Sequence, residues 1–215
     1  MSDSTKNERI EYVTYEASDE DEMARLLGTV FSRNDPPAVA VGLEPSEFED
    51  FVRLFCPKAA VEDLTIVALL AGTGELVGAL LTEDHVSDPP DGIHRVSKKF
   101  EPIFDILGQL DTEYRNEHTY SPGETLHLFL LGVAESAVGR GVAQKLVETC
   151  LKHGASHGYR RAVTEATNKV SQHIFRKQGF VERVRRSYGT HHFEGRAVFA
   201  SIAEHGGPML MDKEL

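Results

Sequence analysis

Between Leu126 and Ala143 the chain reads LHLFLLGVAESAVGRGVA, an apolar run that turns at Gly139-Arg140-Gly141 and opens into the helical run Gln144–His157. The first turn of a helix carries N–H groups without intrahelical partners at the positive end of its dipole, which suits a phosphate or pyrophosphate. Glycines at 139 and 141 let the main chain approach such an anion with no side chain between them. The helix is legible in Ala143, Leu146, Val147, Cys150 and Leu151, apolar at i, i+3, i+4, i+7 and i+8. A dinucleotide fingerprint is excluded, because its third glycine position holds Gln144 and only about seventy residues follow, too few for the further βα units. No Gly-x-x-x-x-Gly-Lys-Ser/Thr run is present, which excludes a P-loop in its usual form. A phosphorylated cofactor of another kind is expected at this turn.

The elements that position the turn can be read along the chain. Arg9–Glu16 alternates as a first strand, and Ser18-x-x-Asp21 resembles a capping box opening a helix with Met23, Leu26, Leu27, Val30 and Phe31 on one face. Ser46-x-x-Glu49 repeats that signal before Phe48, Phe51, Val52 and Phe55. Leu64–Ala71 and Glu75–Thr82, joined by Gly72-Thr73-Gly74, read as a hairpin. Asp84–Ser97 reads as a loop, and Phe100, Ile103, Phe104 and Leu107 mark a helix that ends before Ser121-Pro122-Gly123. Beyond the turn, Tyr159–Thr167 reads as a strand and Asn168–Phe180 as a short helix closed by Gly179. A further strand leads into Tyr188–Gly195, and Arg196–Ile202 reads as the last one. Met1–Glu8 is expected to be a disordered tail, and residues 9–215 one domain, since no repeat or linker divides them.

With 215 residues and 40% hydrophobic content the chain can bury one sizeable core. A net charge of −11 and a pI near 5.4 argue against nucleic acid or an anionic membrane as the main partner. Cys56 and Cys150 sit inside apolar helical patterns and read as buried free thiols of a reducing compartment. No long apolar run or signal-peptide core is present, so a cytoplasmic location is expected. A homodimer is left open.

The order of these elements, with two motifs, resembles the GNAT superfamily of acetyl-CoA-dependent N-acetyltransferases. The superfamily's pyrophosphate motif, Gln/Arg-x-x-Gly-x-Gly/Ala, is matched by Val138-Gly139-Arg140-Gly141-Val142-Ala143, and its later Asn-x-x-Ala/Ser…Tyr…Gly-Phe by Asn168, Ser171, Phe175 and Gly179-Phe180. The resemblance implies an α/β (α+β) GNAT fold, a mixed and mostly antiparallel sheet of about seven strands, splayed at its centre and flanked by helices. It implies direct acetyl transfer from acetyl-CoA to a primary amine of a small molecule, with Val138–Ala143 and Asn168 holding the cofactor. Two positions depart from the family: Val138 replaces its Gln or Arg, and Phe175 replaces the Tyr that protonates the departing thiolate. Phenylalanine has no proton to give. The segment Asn34-Asp35-Pro36 and the chain's ending are similar to the arylalkylamine branch of the superfamily, where a carboxylate in the acidic-Pro segment acts as general base.

An alkylamine of pKa about 10 is roughly one part in a thousand neutral at pH 7, so amine acetylation needs a proton acceptor. Asp35 is the first candidate, His127 the second through the strand histidines of the vertebrate-type arylalkylamine enzymes, with Phe129 at the other position of that pair. Ser171 is a candidate relay; Glu165 and Tyr188 stand behind these three. Main-chain donors at Leu131, Gly132 and Val133 are expected to hold the developing oxyanion, with Gly132 marking a bulge that splays the strand. His153 and His157 have metal-ligand spacing, but no carboxylate stands at the zincin spacing, and cationic side chains at a helix C-terminus explain them; no metal is expected. A non-catalytic acyl-CoA-binding or sensing module, and acetylation of a protein N-terminus or lysine, are the alternatives.

Overall fold

A computed structural model describes residues 8–118 and 120–215. Apart from Glu8, the expected tail lies outside them. In chain order the elements are β1 (Ile10–Thr14), α1 (Glu20–Asn34), α2 (Pro36–Ala40), α3 (Pro45–Glu62), β2 (Ile66–Leu70), β3 (Leu76–Asp84), α4 (Glu101–Glu117), β4 (Thr125–Val133), α5 (Val142–Ser156), β5 (Arg161–Ala166), α6 (Lys169–Lys177), β6 (Val181–Arg185) and β7 (Met209–Glu214). The strands form one mixed sheet in the order β1-β2-β3-β4-β5-β7-β6, antiparallel everywhere except between β4 and β5. This is the GNAT α/β arrangement.

Helices cover both faces, which is why the central strands are apolar runs rather than alternations. On one face α1, α3 and the start of α4 bury Leu27, Phe51 and Ile103 against Val67, Ala79 and Leu130. On the other, α5 and α6 bury Leu146, Cys150 and Phe175 against Ala68, Leu80 and Leu128. Cys56 and Cys150 are buried and free, and burial pushes their thiols up to about 11 and about 12, so neither is a nucleophile at neutral pH. No helix among the described residues is long and apolar enough to cross a membrane.

Three local expectations are corrected. The capping boxes lie two residues before the predicted ones: Glu16 N–H donates to Asp19 at 2.9 Å, and Glu44 N–H to Glu47 at 2.9 Å, with Pro45 as the first residue of α3. Proline suits that first position, where its missing N–H would have no partner, and this starts the helix before Ser46. Arg196–Ile202 is not the last strand. Its buried residues Phe199 and Ile202 are three apart, the period of the short 3-10 helix Ala200–His205. The last strand is Met209–Glu214, between β5 and β6 and covered on both faces at Met209, Leu210 and Met211.

Candidate active site

The site begins where two neighbouring strands stop pairing. β4 and β5 share a ladder only where Thr125–His127 faces Arg161–Val163. One residue on, the Leu128 carbonyl accepts a hydrogen bond from the Thr164 hydroxyl at 2.9 Å. Beyond that point β4 stays with β3 and β5 with β7, so the sheet opens into a V. The bulge that accompanies the opening is at Phe129, where Leu81 pairs with Leu130 but Thr82 with Leu128. Gly132 is therefore not the bulge. It pairs in register with Ala79, and a Cβ there would stand 2.6 Å from Leu27 Cδ2, so glycine lets α1 lie directly on β4.

Main-chain donors point into the V. Ala134 N–H donates to the Val77 carbonyl on β3, so by strand alternation Val133 and Leu131 turn theirs away from β3, towards the gap, while Gly132 turns its own to β3. After β4 the chain reaches Gly139 and Gly141, at φ 81° and 77°, left-handed conformations that favour glycine. Gly141 is the N-cap of α5 and no side chain caps that end. A Cβ on either glycine would meet nothing within 4 Å, so the glycines serve the backbone turn and leave the space above it clear. Val138 is exposed, Val142 is buried under the helix, and Arg140 donates to the Glu8 carbonyl; these three offer the anion main chain rather than a polar side chain. Open N–H groups on a glycine turn fit the pyrophosphate of acetyl-CoA without a side-chain clamp.

Across the cleft, Asp35 is the N-cap of α2. Its carboxylate accepts from Ala38 N–H at 3.4 Å and from the Thr167 hydroxyl at the end of β5. The Asp35-Pro36-Pro37 order is a helix-start signature, cap then proline, and that is how the aspartate is fixed. Burial raises its carboxyl to about 6, partly offset by the two hydrogen bonds. The same cleft is walled by Phe31, Phe48, Phe51, Phe100, Phe104 and Phe129. The rings of Phe51 and Phe100 are 4.6 Å apart and those of Phe31 and Phe48 are stacked at 4.9 Å. Asp35 and Glu165 both line this aromatic box, and Asp35, the one not paired with His127, suits a cation carried on an apolar body.

His127 is used differently from the expectation. Its Nε2 lies 2.7 Å from Glu165 and its Nδ1 3.3 Å from Glu83, so β3, β4 and β5 are tied together at the apex of the V. Burial opposes a charge there, but the two carboxylates, Glu165 foremost, outweigh it and raise the imidazole to about 10. Burial alone would raise both glutamates; His127 holds them below the usual range. At neutral pH His127 is a fixed cation with both nitrogens engaged, and it has no lone pair for a substrate proton.

On the α5 side, Asn168 caps α6, accepting from Ser171 N–H at 2.9 Å and Val170 N–H at 3.0 Å, and the Ser171 hydroxyl donates back to the Asn168 carbonyl at 2.9 Å. Because the Asn168 N–H donates in return to the Ser171 hydroxyl at 3.4 Å, the Asn-x-x-Ser pattern is a capping box whose two members also line the cleft. Phe175, one turn on, is buried edge-on against Phe180 at 5.1 Å. Tyr188 is a packed aromatic whose hydroxyl donates to the Thr167 carbonyl at 2.8 Å. Thr167 and the aromatic box have no signal of their own in the sequence: the phenylalanine spacing marks helix faces, and only the meeting of α1, α3, α4 and β4 makes those faces one box.

A family model described as the acetyltransferase (GNAT) family matches residues 44–180. The chain belongs to the GNAT acetyltransferases. Three solved structures agree with the acetyltransferase fold. The C-terminal condensation domain of Ebony, in complex with beta-alanyl-dopamine, superposes with a TM-score of 0.89 at 16% identity, covering 97% of this chain and 100% of that one. Arylalkylamine N-acetyltransferase 2 from Aedes aegypti gives 0.78 at 20% identity over 96% and 99% of the two chains. A Drosophila melanogaster polyamine N-acetyltransferase that forms N-acetylagmatine gives 0.76 at 18% identity over 96% and 100%.

Proposed function

We infer that this acetyltransferase transfers the acetyl group of acetyl-CoA to the primary amine of a small aromatic amine, with Asp35 as the proton acceptor. The observation that carries this reading is the buried Asp35 carboxylate set against the phenylalanine box. The N–H groups of Gly139, Gly141, Val142 and Ala143 at the head of α5 hold the pyrophosphate, that of Arg140 being taken by the Ala137 carbonyl, and the thioester lies in the V beside the Leu131 and Val133 amides. The aromatic end of the acceptor enters among the phenylalanines and its ammonium meets Asp35. An ordinary carboxyl of 3.8 takes a proton from an amine of pKa about 10 only steeply uphill, and burial, by raising Asp35 to about 6, narrows that gap. The neutral amine attacks the thioester carbon, the C–N bond forms as the C–S bond breaks, and the thiolate leaves. Once the C–N bond has formed the nitrogen must shed its second proton, and because Phe175 has none to give, Ser171, one turn earlier on the same face of α6, relays that proton to the departing thiolate.

The test is thiol release from acetyl-CoA with separate pools of phenylethylamine-type amines, polyamines and N-terminal peptides. Release with the aromatic pool, reduced at least tenfold in Asp35→Asn, supports the reading. Release with polyamines or peptides alone overturns the acceptor class, and undiminished turnover in Asp35→Asn overturns the base. Because the condensation domain of Ebony is seen with beta-alanyl-dopamine, a β-alanyl thioester belongs in the same assay as a second donor.

A further inference from the structure

At the far end of α5 from the glycine turn, the fold adds a third side chain to two histidines that already share a helix face. His153 and His157 are one turn apart at the C-terminal end of α5, with ring centroids 4.3 Å apart. Asp63, the C-cap of α3, carries its carboxylate Oδ2 to 3.9 Å from His153 Nε2 and 3.8 Å from His157 Nε2. One ligand atom from each of the three lies within 4.8 Å of the others. The groups are partly exposed, so an ion can reach them from solvent.

The hydrogen-bond geometry supplies a second reason to look for a cation. His157 Nδ1 is 2.9 Å from the His153 carbonyl, which only accepts, so Nδ1 carries a proton and Nε2 is the nitrogen left to face outward. His157 Nε2 is thereby turned to the Asp63 carboxylate at 3.8 Å, where one ion can bridge the two. His153 Nε2 is 2.5 Å from the Asp63 main-chain carbonyl and gives up its proton if it turns to a metal. We propose that Asp63, His153 and His157 form a surface site for a borderline divalent transition ion, zinc foremost. Two imidazoles and one carboxylate are its preferred donors, and water completes a tetrahedron. Donors in such a tetrahedron are about 3.4 Å apart, so the Asp63 oxygen closes on each imidazole by about half an ångström and no pair of donors by more than about 1.4 Å. The ion lies about 20 Å along α5 from the glycine turn and takes no part in acyl transfer. It clips the end of α3 to the end of α5, closing a loop of 90 residues.

The experiment titrates the full chain, stripped with a chelator, with Zn2+ by calorimetry and with Co2+ by its visible absorption. One ion is expected per chain, with tetrahedral Co2+ bands. Zn2+ at a hundred times its dissociation constant is expected to raise the unfolding temperature by about 5–10 °C. His157→Ala, His153→Ala and Asp63→Asn each lower the affinity at least tenfold, while acetyl transfer and metal-free unfolding temperature in His157→Ala stay at the wild-type values. Saturable binding that is equally tight in all three variants places the ion elsewhere and overturns the site. So does no binding by 1 mM metal (a concentration about a thousandfold above that of a micromolar site).

Discussion

Replacing Asp35 by Asn is expected to make the protein more stable and less active at the same time. The carboxyl is 7% exposed and is raised from 3.8 to about 6 by burial, a rise worth about 3 kcal/mol. Between those two pH values the folded chain holds a proton that the unfolded chain has released, so stability falls as pH climbs through the window and the loss is complete above about 6. Asparagine carries no charge to desolvate and still caps α2, but its amide cannot accept from both Ala38 N–H and the Thr167 hydroxyl as the two carboxylate oxygens do. With about 1 kcal/mol set against that loss, the net gain at pH 7.5 is about 2 kcal/mol, or about 4–8 °C in a chain of this size. The assay is thermal unfolding of both proteins from pH 3.5 to 8. The difference should favour Asp35→Asn above pH 6 and vanish or reverse near pH 3.5, where wild-type Asp35 is already neutral when unfolded. In parallel, wild-type kcat/KM for the amine should fall as pH drops through about 6, a limb absent from the residual activity of Asp35→Asn. A variant no more stable at pH 7.5 than at pH 3.5, relative to wild type, would refute the argument that burial raises this carboxyl.

Two further outcomes follow from the packing and the apex of the V. Gly132→Ala would press a methyl against Leu27, which is fully buried and has no room to withdraw, so a loss of about 1–3 kcal/mol is expected in denaturant unfolding; unchanged stability would mean that α1 does not lie on β4 as described. His127→Ala leaves Glu165 buried without its cation, while Glu83 keeps Lys58 at 2.5 Å, and is expected to cost about 3 kcal/mol at pH 7. The His127 contribution in the wild type is complete below 6.5 and is lost as pH rises towards 10, because its folded value is the raised one; urea unfolding at pH 6, 8 and 10 checks this, and a wild type that gains stability over that range contradicts it.

Much of the fold was legible because its signals are local. The glycine turn, the amphipathic face of α5 and the β2–β3 hairpin each lie within a dozen or so residues, where side-chain period and glycine conformation act directly. The last strand was missed for a related reason. Met209–Met211 is covered on both faces and shows no alternation, while Phe199 and Ile202 imitate a strand although they are packed as a helical turn.

By itself the sequence determined the family and the glycine turn at the head of α5, since each is written in neighbouring residues. Only the tertiary structure decided what each candidate acid–base group touches. His127 looked like a proton carrier until β3 and β5 brought Glu83 and Glu165 to its two nitrogens, 44 and 38 residues away in the chain. Asp35 became a tuned carboxyl through Thr167, 132 residues away, and the two α5 histidines gained a carboxylate partner through Asp63. A pKa depends on burial and on the charges within a few ångströms, and those are set by which distant segments meet.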